Sequence, residues 1–532
     1  MEVNKQVFQK AEQVFIKNRR EEINYQAGFQ CRFTGSEKRQ YELHITGATL
    51  YRVYLNGNFL FYGPARAPHG YLRADNVRLK VKAGENVLCV EVAGYNCPSF
   101  GTMNHFSFLQ AEIFENGKSI CHTGRDFKAI SLNGLREQKV YRYSYQRAFS
   151  EVWYLDNESI LTNWKETDFE GEAICVHTYE EEIIPRGYAN PDFWVEDFGD
   201  PVMQGRFEWA GELAVYRSRH FVPNEVSIVC YPLSEIKHDV LTRIRGKYLP
   251  DGDSDMTKNR YRLYDYGQVN TGFIKANLTA EEDSEVYIAF SEKPAGRTGF
   301  EMEDLISVIK YELKKSKRPY DLEAFEAYSM RYVIVLVIKG KIKVNRMELR
   351  EYSYPLSHNT ILIVQDEKLM RIFEAARETF RQNTLDCFMD CPGRERGGWL
   401  CDSYFTSQAE QIFAGKGQIE EQFLKNFTMA KEFPGIPEGL LPDNYPGELL
   451  QVIPQWIMWY ILELEEYLKR HADNKEIFRG LCYQFLEYLQ DYKCENRLLK
   501  KLEGWNFIEW SEANQYVEKA DISYPTNMLY AR

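Results

Sequence analysis

Residues Asp390–Phe405 read DCPGRERGGWLCDSYF, and the organisation of the chain turns on this stretch. Pro392, Gly393, Gly397 and Gly398 deny it a regular helix. Both flanks have helical period. Upstream, Gln365–Thr384 spaces Leu369, Ile372, Phe373, Ala376 and Phe380 along one helix face; downstream, Asp402–Gly415 predicts a second helix, capped by Asp402 and stopped by Gly415. The loop between them concentrates Asp390, Arg394, Glu395, Arg396 and Trp399, with Asp402 at its end. Three carboxylates and two guanidiniums on so short a segment are either solvated or arranged around something. A carboxylic acid that donates a proton needs a raised pKa, from burial or from neighbouring carboxylates. Asp390 and Asp402 are the neighbours available to Glu395. Trp399 offers a flat apolar face of the kind on which sugars stack. The competing reading is an interhelical loop laced with salt bridges, and composition alone leaves both open.

Moving outward, Gln418–Lys431, Pro454–His471 and Lys475–Tyr492 predict further helices, and another begins at Pro525. Upstream the period changes. YELHITGATLYRVYLNGNFLFYG (Tyr41–Gly63) alternates as a strand does, and Asn56-Gly57 is a strong hairpin signal because both turn positions need positive φ. Val77–Asn96, Tyr261–Leu278, Ser284–Lys293 and Tyr328–Gly340 read as more strands, with turns at β-sandwich spacing. An all-β half followed by an all-α half implies separate domains. The expected division is a carbohydrate-binding-like β-sandwich over 1–165, a linker over 166–204, a second β-sandwich over 205–355 and a helical domain over 356–532.

Composition excludes several classes. The net charge of −12 and the lack of a basic run argue against nucleic acid or an anionic membrane as partner. Aromatics at 14% exclude disorder and coiled coil and suit large cores and stacking surfaces. The N-terminus has no apolar h-region, and no stretch of about 18 apolar residues occurs. An odd count of 11 Cys among apolar neighbours suits a reducing cytoplasm. Cys387, Cys391 and Cys401 have poor spacing for zinc, so neither metal nor cofactor is expected.

D-C-P-G-R-E-R-G-G-W-L-C-D resembles the motif that opens the catalytic (α/α)6 barrel of the bacterial α-L-rhamnosidases of glycoside hydrolase family 78, in the variant without an optional Asp. The β half is similar as well. Leu55-Asn56-Gly57 and Ala83–Leu88 look like that family's N-terminal lectin-like sandwich. Asp265-Tyr266-Gly267-Gln268, Thr271-Gly272-Phe273, Ser291-Glu292 and Tyr328–Tyr332 look like the β domain that follows. The resemblance implies two β-sandwich (lectin-like or jelly-roll) domains followed by an (α/α)6 barrel. It also implies inverting hydrolysis of terminal α-L-rhamnose from a rhamnoside or rhamnose-containing oligosaccharide. On the matching positions Glu395 is the general acid, and Asp390, Arg394, Trp399 and Asp402 form the sugar pocket. Trp505, Glu509 and Trp510, in the stretch WNFIEW, look like the barrel mouth. The alternatives are a non-catalytic carbohydrate-binding protein and a glycosidase of another sugar specificity.

A twelve-helix barrel needs roughly 300–350 residues. The stretch from Leu356 to Arg532 offers about half of that, so the expectation is an incomplete barrel whose downstream general base is absent and whose activity is impaired. Glu438, Glu448, Glu509 and Glu512 are the local carboxylates that could stand in. An open half barrel is expected to expose Ile457, Trp459 and Leu464 and to invite a second copy, or another chain that completes the barrel.

Overall fold

Asn56 and Gly57 turn the chain back as their sequence predicts, with φ of 51° and 77°, joining strands Leu50–Leu55 and Asn58–Gly63. The computed structural model describes residues 7–209, 229–236, 246–294, 305–356, 360–415, 417–512 and 520–532. The hairpin belongs to a five-stranded sheet in the order Lys128–Ser131, Tyr25–Gly35, Gly84–Gly94, Leu50–Leu55, Asn58–Gly63. It faces a seven-stranded sheet built around Gln13–Ile16, Phe108–Glu115, Tyr41–Ala48 and Tyr71–Leu79. Phe29, Val53 and Val90 from one sheet and Leu43, Leu109 and Ile113 from the other are fully buried between them. Alternation along each strand puts these residues on the inner face.

The second β unit is an eleven-stranded sheet. Its spine is the 21-residue strand Arg260–Ala280, which pairs with Tyr328–Lys339 on one side and Lys341–Glu351 on the other. The Asp265-Tyr266-Gly267-Gln268 stretch is an irregularity in this pairing. Register shifts between Asp265 and Asn270, Gly267 takes a φ of 87°, and Asp265 accepts bonds from Gly267 N and the Arg331 guanidinium. A bulge of this kind re-aims a strand without breaking it.

Two expected boundaries differ. The stretch 166–204 is not a free linker. Ile174–His177 pairs with Gln13–Ile16, Glu182–Pro185 runs parallel to Tyr71–Leu79, and Val195–Asp197 joins the second sheet. Unpaired backbone groups at sheet edges captured a segment whose composition reads as coil. Conversely Glu151–Leu155, assigned to the first sandwich, pairs in parallel with Val308–Leu313 of the second sheet. Of the second block expected over 205–355, residues 210–228, 237–245 and 295–304 lie outside the described residues.

Six helices are described in the C-terminal part: α1 (Glu367–Gln382), α2 (Leu400–Phe413), α3 (Gln418–Met429), α4 (Pro454–Arg470), α5 (Lys475–Gln490) and α6 (Tyr524–Ala531). Asp366 caps α1 by accepting from Lys368 N and Leu369 N, and Ser523 caps α6 through Thr526 N. Asp402 does not cap α2. The helix starts at Leu400, and Asp402 stands in its first turn. The expectation that Ile457 and Leu464 are exposed is also wrong. Both are buried where α4 packs on α2, and Trp459 is half-buried against Tyr404 and Phe405. Exposed apolar side chains of this part include Ile361, Ile363, Ile372 and Ile412, and also Phe405, Ile477, Trp510 and Met528. No described helix is long and apolar enough to cross a membrane.

The halves meet along a polar seam. Arg66, in the loop after Asn58–Gly63, donates to both carboxylate oxygens of Asp386, the shortest contact being 2.6 Å. Arg381 of α1 donates to Glu351 at 2.7 Å and to the Ser353 hydroxyl.

Candidate active site

The loop after α1 closes on itself. Asp390 N donates to Gly397 O at 3.1 Å, and Gly397 N donates back to Asp390 Oδ1 at 3.0 Å. Between them Arg396 adopts a left-handed φ of 59°. The paired glycines have a steric reason. A Cβ on Gly398 would sit 2.3 Å from Tyr445 O, and one on Gly397 would sit 2.8 Å from Trp399 Nε1. That room lets the strap at Asp443–Tyr445 lie against the loop, with Tyr445 N donating to Gly398 O and Leu400 N to Asp443 O.

Glu395 is buried at the centre. Its Oε2 accepts from Trp399 Nε1 at 3.0 Å, and its Oε1 accepts from Arg394 at 2.6 Å and from Gln146 Nε2 at 2.7 Å. Trp399 is half-buried with its ring against Phe100, and Arg394 is exposed. Asp390 and Asp402 are partly open to solvent. Burial, followed by the charge of Glu395, pushes the Asp390 carboxyl up to about 7 and the Asp402 carboxyl up to about 6. Asp390 is therefore partly protonated near neutral pH, and neighbouring carboxyl groups in such a cluster can hold different protonation states.

The structure brings together Asp390, Arg394, Glu395, Trp399 and Asp402. Trp505 and Trp510 form a separate aromatic group: both rings contact Phe507 and each other, and Phe507 rests on Trp456 of α4. Glu509 is exposed beside them, as are Glu438 and Glu512. Glu448 accepts from Asn104 N at 2.9 Å and lies 3.5 Å from His69. Among the described residues no group of three His, Cys, Asp or Glu side chains is arranged to hold a metal. Cys387 is buried and accepts from Arg66 at 2.8 Å.

Sequence reading missed the back wall, which comes from the β half. Gln146 holds Glu395, Phe100 packs on Trp399, and Phe100 N donates to Gln146 O at 3.0 Å. Arg147 donates to Gly393 O at 2.6 Å. Gln146 lies 249 positions from Glu395, and neither segment has a local signal that points to the other.

Residues 359–531 match the family described as the bacterial alpha-L-rhamnosidase 6 hairpin glycosidase domain. Among solved structures, the family-78 rhamnosidase of Bacillus sp. GL1 superposes with a TM-score of 0.77 at 16% identity, covering 98% of this chain and 73% of that one. An α-L-rhamnosidase from Dictyoglumus thermophilum gives 0.62 at 16% identity, over 93% of this chain and 52% of its own. The Streptomyces avermitilis α-L-rhamnosidase complexed with L-rhamnose gives 0.55 at 15% identity, over 89% of this chain and 42% of its own. No curated protein matches in sequence. In fold, then, the chain is α-L-rhamnosidase-like: strand-rich sheets followed by a helical glycosidase domain.

Proposed function

We propose that this rhamnosidase-like chain is a glycoside hydrolase that cleaves terminal α-L-rhamnosides with inversion, with Glu395 as the general acid. The observation that carries the reading is the triad of Asp390, Glu395 and Asp402 on the motif loop, with raised carboxyl pKa values around a buried, three-fold hydrogen-bonded Glu395. Arg394 is the exposed one of the three donors on Glu395, so it is the donor that an entering glycoside displaces. Gln146 is buried and Trp399 is packed on Phe100; they keep the carboxyl group aimed. Asp390 and Asp402 hold sugar hydroxyls, and the Trp399 face bounds the ring. The Glu395 proton goes to the glycosidic oxygen as the C1–O bond breaks. Water attacks C1 from the opposite face and gives its proton to a second carboxylate roughly 6.5–9.5 Å from the first; Glu438, Glu448, Glu509 and Glu512 are the candidates for it on this chain, and turnover is impaired to the extent that none is in place.

The test is hydrolysis of an aryl α-L-rhamnoside and of a rhamnosyl disaccharide, with the product anomer followed by NMR. β-L-Rhamnose should form first. Glu395→Gln should lower turnover of the disaccharide by roughly 10²–10⁴-fold and leave rhamnose binding measurable. Unchanged disaccharide turnover by Glu395→Gln would rule it out as the acid. Rhamnose binding without any turnover would favour a carbohydrate-binding protein, and preference for another aryl glycoside would move the reading to another sugar.

A further inference from the structure

Behind the motif loop, where both β units meet the helical part, lies a cavity of about 60 Å³. One water needs about 10–15 Å³ of such space, so a small ion with some water fits. Its wall is unbalanced in charge. Arg66, Arg73, Arg147 and Arg396 line it against only two carboxylates, Asp386 and Glu326. Arg66 pairs with Asp386 and Arg147 with Glu326. Arg73 is bonded to neutral acceptors, namely the carbonyls of Arg66 and Arg186 and the amide oxygen of Asn426. Arg396 has less. Its Nη1 reaches Ala327 O at 3.4 Å and its guanidinium lies 5.3 Å over the Tyr352 ring. Among the described residues no carboxylate is within ion-pair distance of it. Burial and the neighbouring Arg147 disfavour its charge and outweigh the more distant Glu326, which favours it, yet a guanidinium cannot escape by losing its proton.

A second observation points the same way. Tyr62, 3% exposed, also lines the cavity, and its buried hydroxyl has no hydrogen-bond partner among the described residues. Its ring packs edge-on against Tyr352, the ring that carries Arg396. An O–H donor without an acceptor and a guanidinium without an ion pair among the described residues thus line the same cavity. Such donors are completed by an ordered water or an ion, and beside a guanidinium the ion is an anion.

We infer that the Arg396–Tyr62 end of this cavity binds a small inorganic monoanion of halide size. The ion neutralises Arg396 and so holds the left-handed turn that sets Glu395 in place. A space of about 60 Å³ suits an ion of halide size better than an organic acid with a chain of its own, and one guanidinium without an ion pair suits one negative charge.

The test is thermal denaturation in sodium chloride and sodium bromide against sodium gluconate at matched ionic strength, on the wild type, Tyr62→Phe and Arg396→Met. The wild-type midpoint should rise with halide and follow a saturating single-site curve, with no such rise in gluconate. Tyr62→Phe, which removes only the hydroxyl, should raise the half-saturating halide concentration by about five- to tenfold. Arg396→Met should abolish the response. Crystals grown in bromide should show an anomalous peak between the Arg396 guanidinium and the Tyr62 hydroxyl. Equal midpoints in halide and gluconate would overturn the inference, as would a halide response unchanged in Tyr62→Phe or a bromide map without that peak. Should Arg396→Met fail to fold, Tyr62→Phe and the bromide map decide the matter.

Discussion

The β half and the helical half bury opposite excesses of charge: the β half also buries Asp75, Glu112 and Glu151, but fewer carboxylates than cations. The β half encloses cations: Arg52, Arg66, Arg73, Arg147 and Arg186 are all buried, some on carboxylates and others only on carbonyls. The helical half encloses carboxylates. Glu410, Glu420, Glu463 and Asp443 have no exposed surface, and Arg470 reaches only Glu420, at 2.6 Å. The two excesses are relieved differently because the chemistry differs. A buried carboxylate can take up a proton. A buried guanidinium keeps its charge and must find an acceptor or an anion. Burial pushes Glu463 and Asp443 well up and Glu410 up to about 8, despite the two α3 backbone N–H groups that Glu410 accepts at 3.0 Å. The motif loop lies on the seam between these interiors, with Arg396 turned to the cationic side and Asp390 and Asp402 among carboxylates.

The contrast can be broken most sharply at Asp386. Burial alone would raise its carboxyl, but Arg66 outweighs that and holds it well below the ordinary range. Asp386→Asn should cost about 3–5 kcal/mol, because it leaves Arg66 buried without its partner, and urea unfolding would show it. The pH dependence follows from the two signs. A depressed carboxyl such as Asp386 contributes stability that is present above its unfolded pKa and is lost as pH falls through the folded value. A raised one such as Glu410 contributes stability that is full below about 4.5 and is lost as pH rises toward about 8. Asp386→Asn should therefore flatten the acid side of a stability–pH curve. Glu410→Gln should flatten the side between roughly pH 5 and 8, where the wild type should lose on the order of 2–4 kcal/mol. A wild-type midpoint that stays level from pH 5 to 8 would contradict the acidic-interior account.

Smaller effects sharpen the picture at the seam. Gln146→Ala removes the β half's only hydrogen bond to Glu395 among the described residues. It should lower turnover about tenfold, the worth of one lost hydrogen bond, with rhamnose binding little changed in titration. An equal loss of binding would make Gln146 part of the sugar site rather than a positioning residue. Smallest of all, Lys469→Ala breaks an exposed ion pair with Glu466 on α4 and should leave the melting midpoint where it was, because solvent screens such pairs.

Legibility followed sequence distance. The helices α1 to α5, the Asn56-Gly57 hairpin and the charged motif could be read locally, because period, turn chemistry and Gly-Pro punctuation act over a few residues. Glu410, Glu420 and Glu463 looked like the solvated charges of ordinary helix faces, and only the packing of α2, α3 and α4 put them inside. The strands at Ile174–His177 and Glu182–Pro185 looked like linker because edge pairing, not propensity, makes them strands.

By itself the sequence determined the β-then-α order and the cluster of Asp390, Arg394, Glu395, Trp399 and Asp402 on one loop, since hydrophobic period and a contiguous motif need no tertiary partner to be recognised. Only the tertiary structure decided that Glu395 is held by Gln146 from the other half, that Trp505 and Trp510 pack on Phe507, and that Arg396 ends buried without an ion pair among the described residues. Each of these depends on desolvation and on contacts between residues far apart in the chain, and burial changes the worth of a charge in a way that no local pattern records.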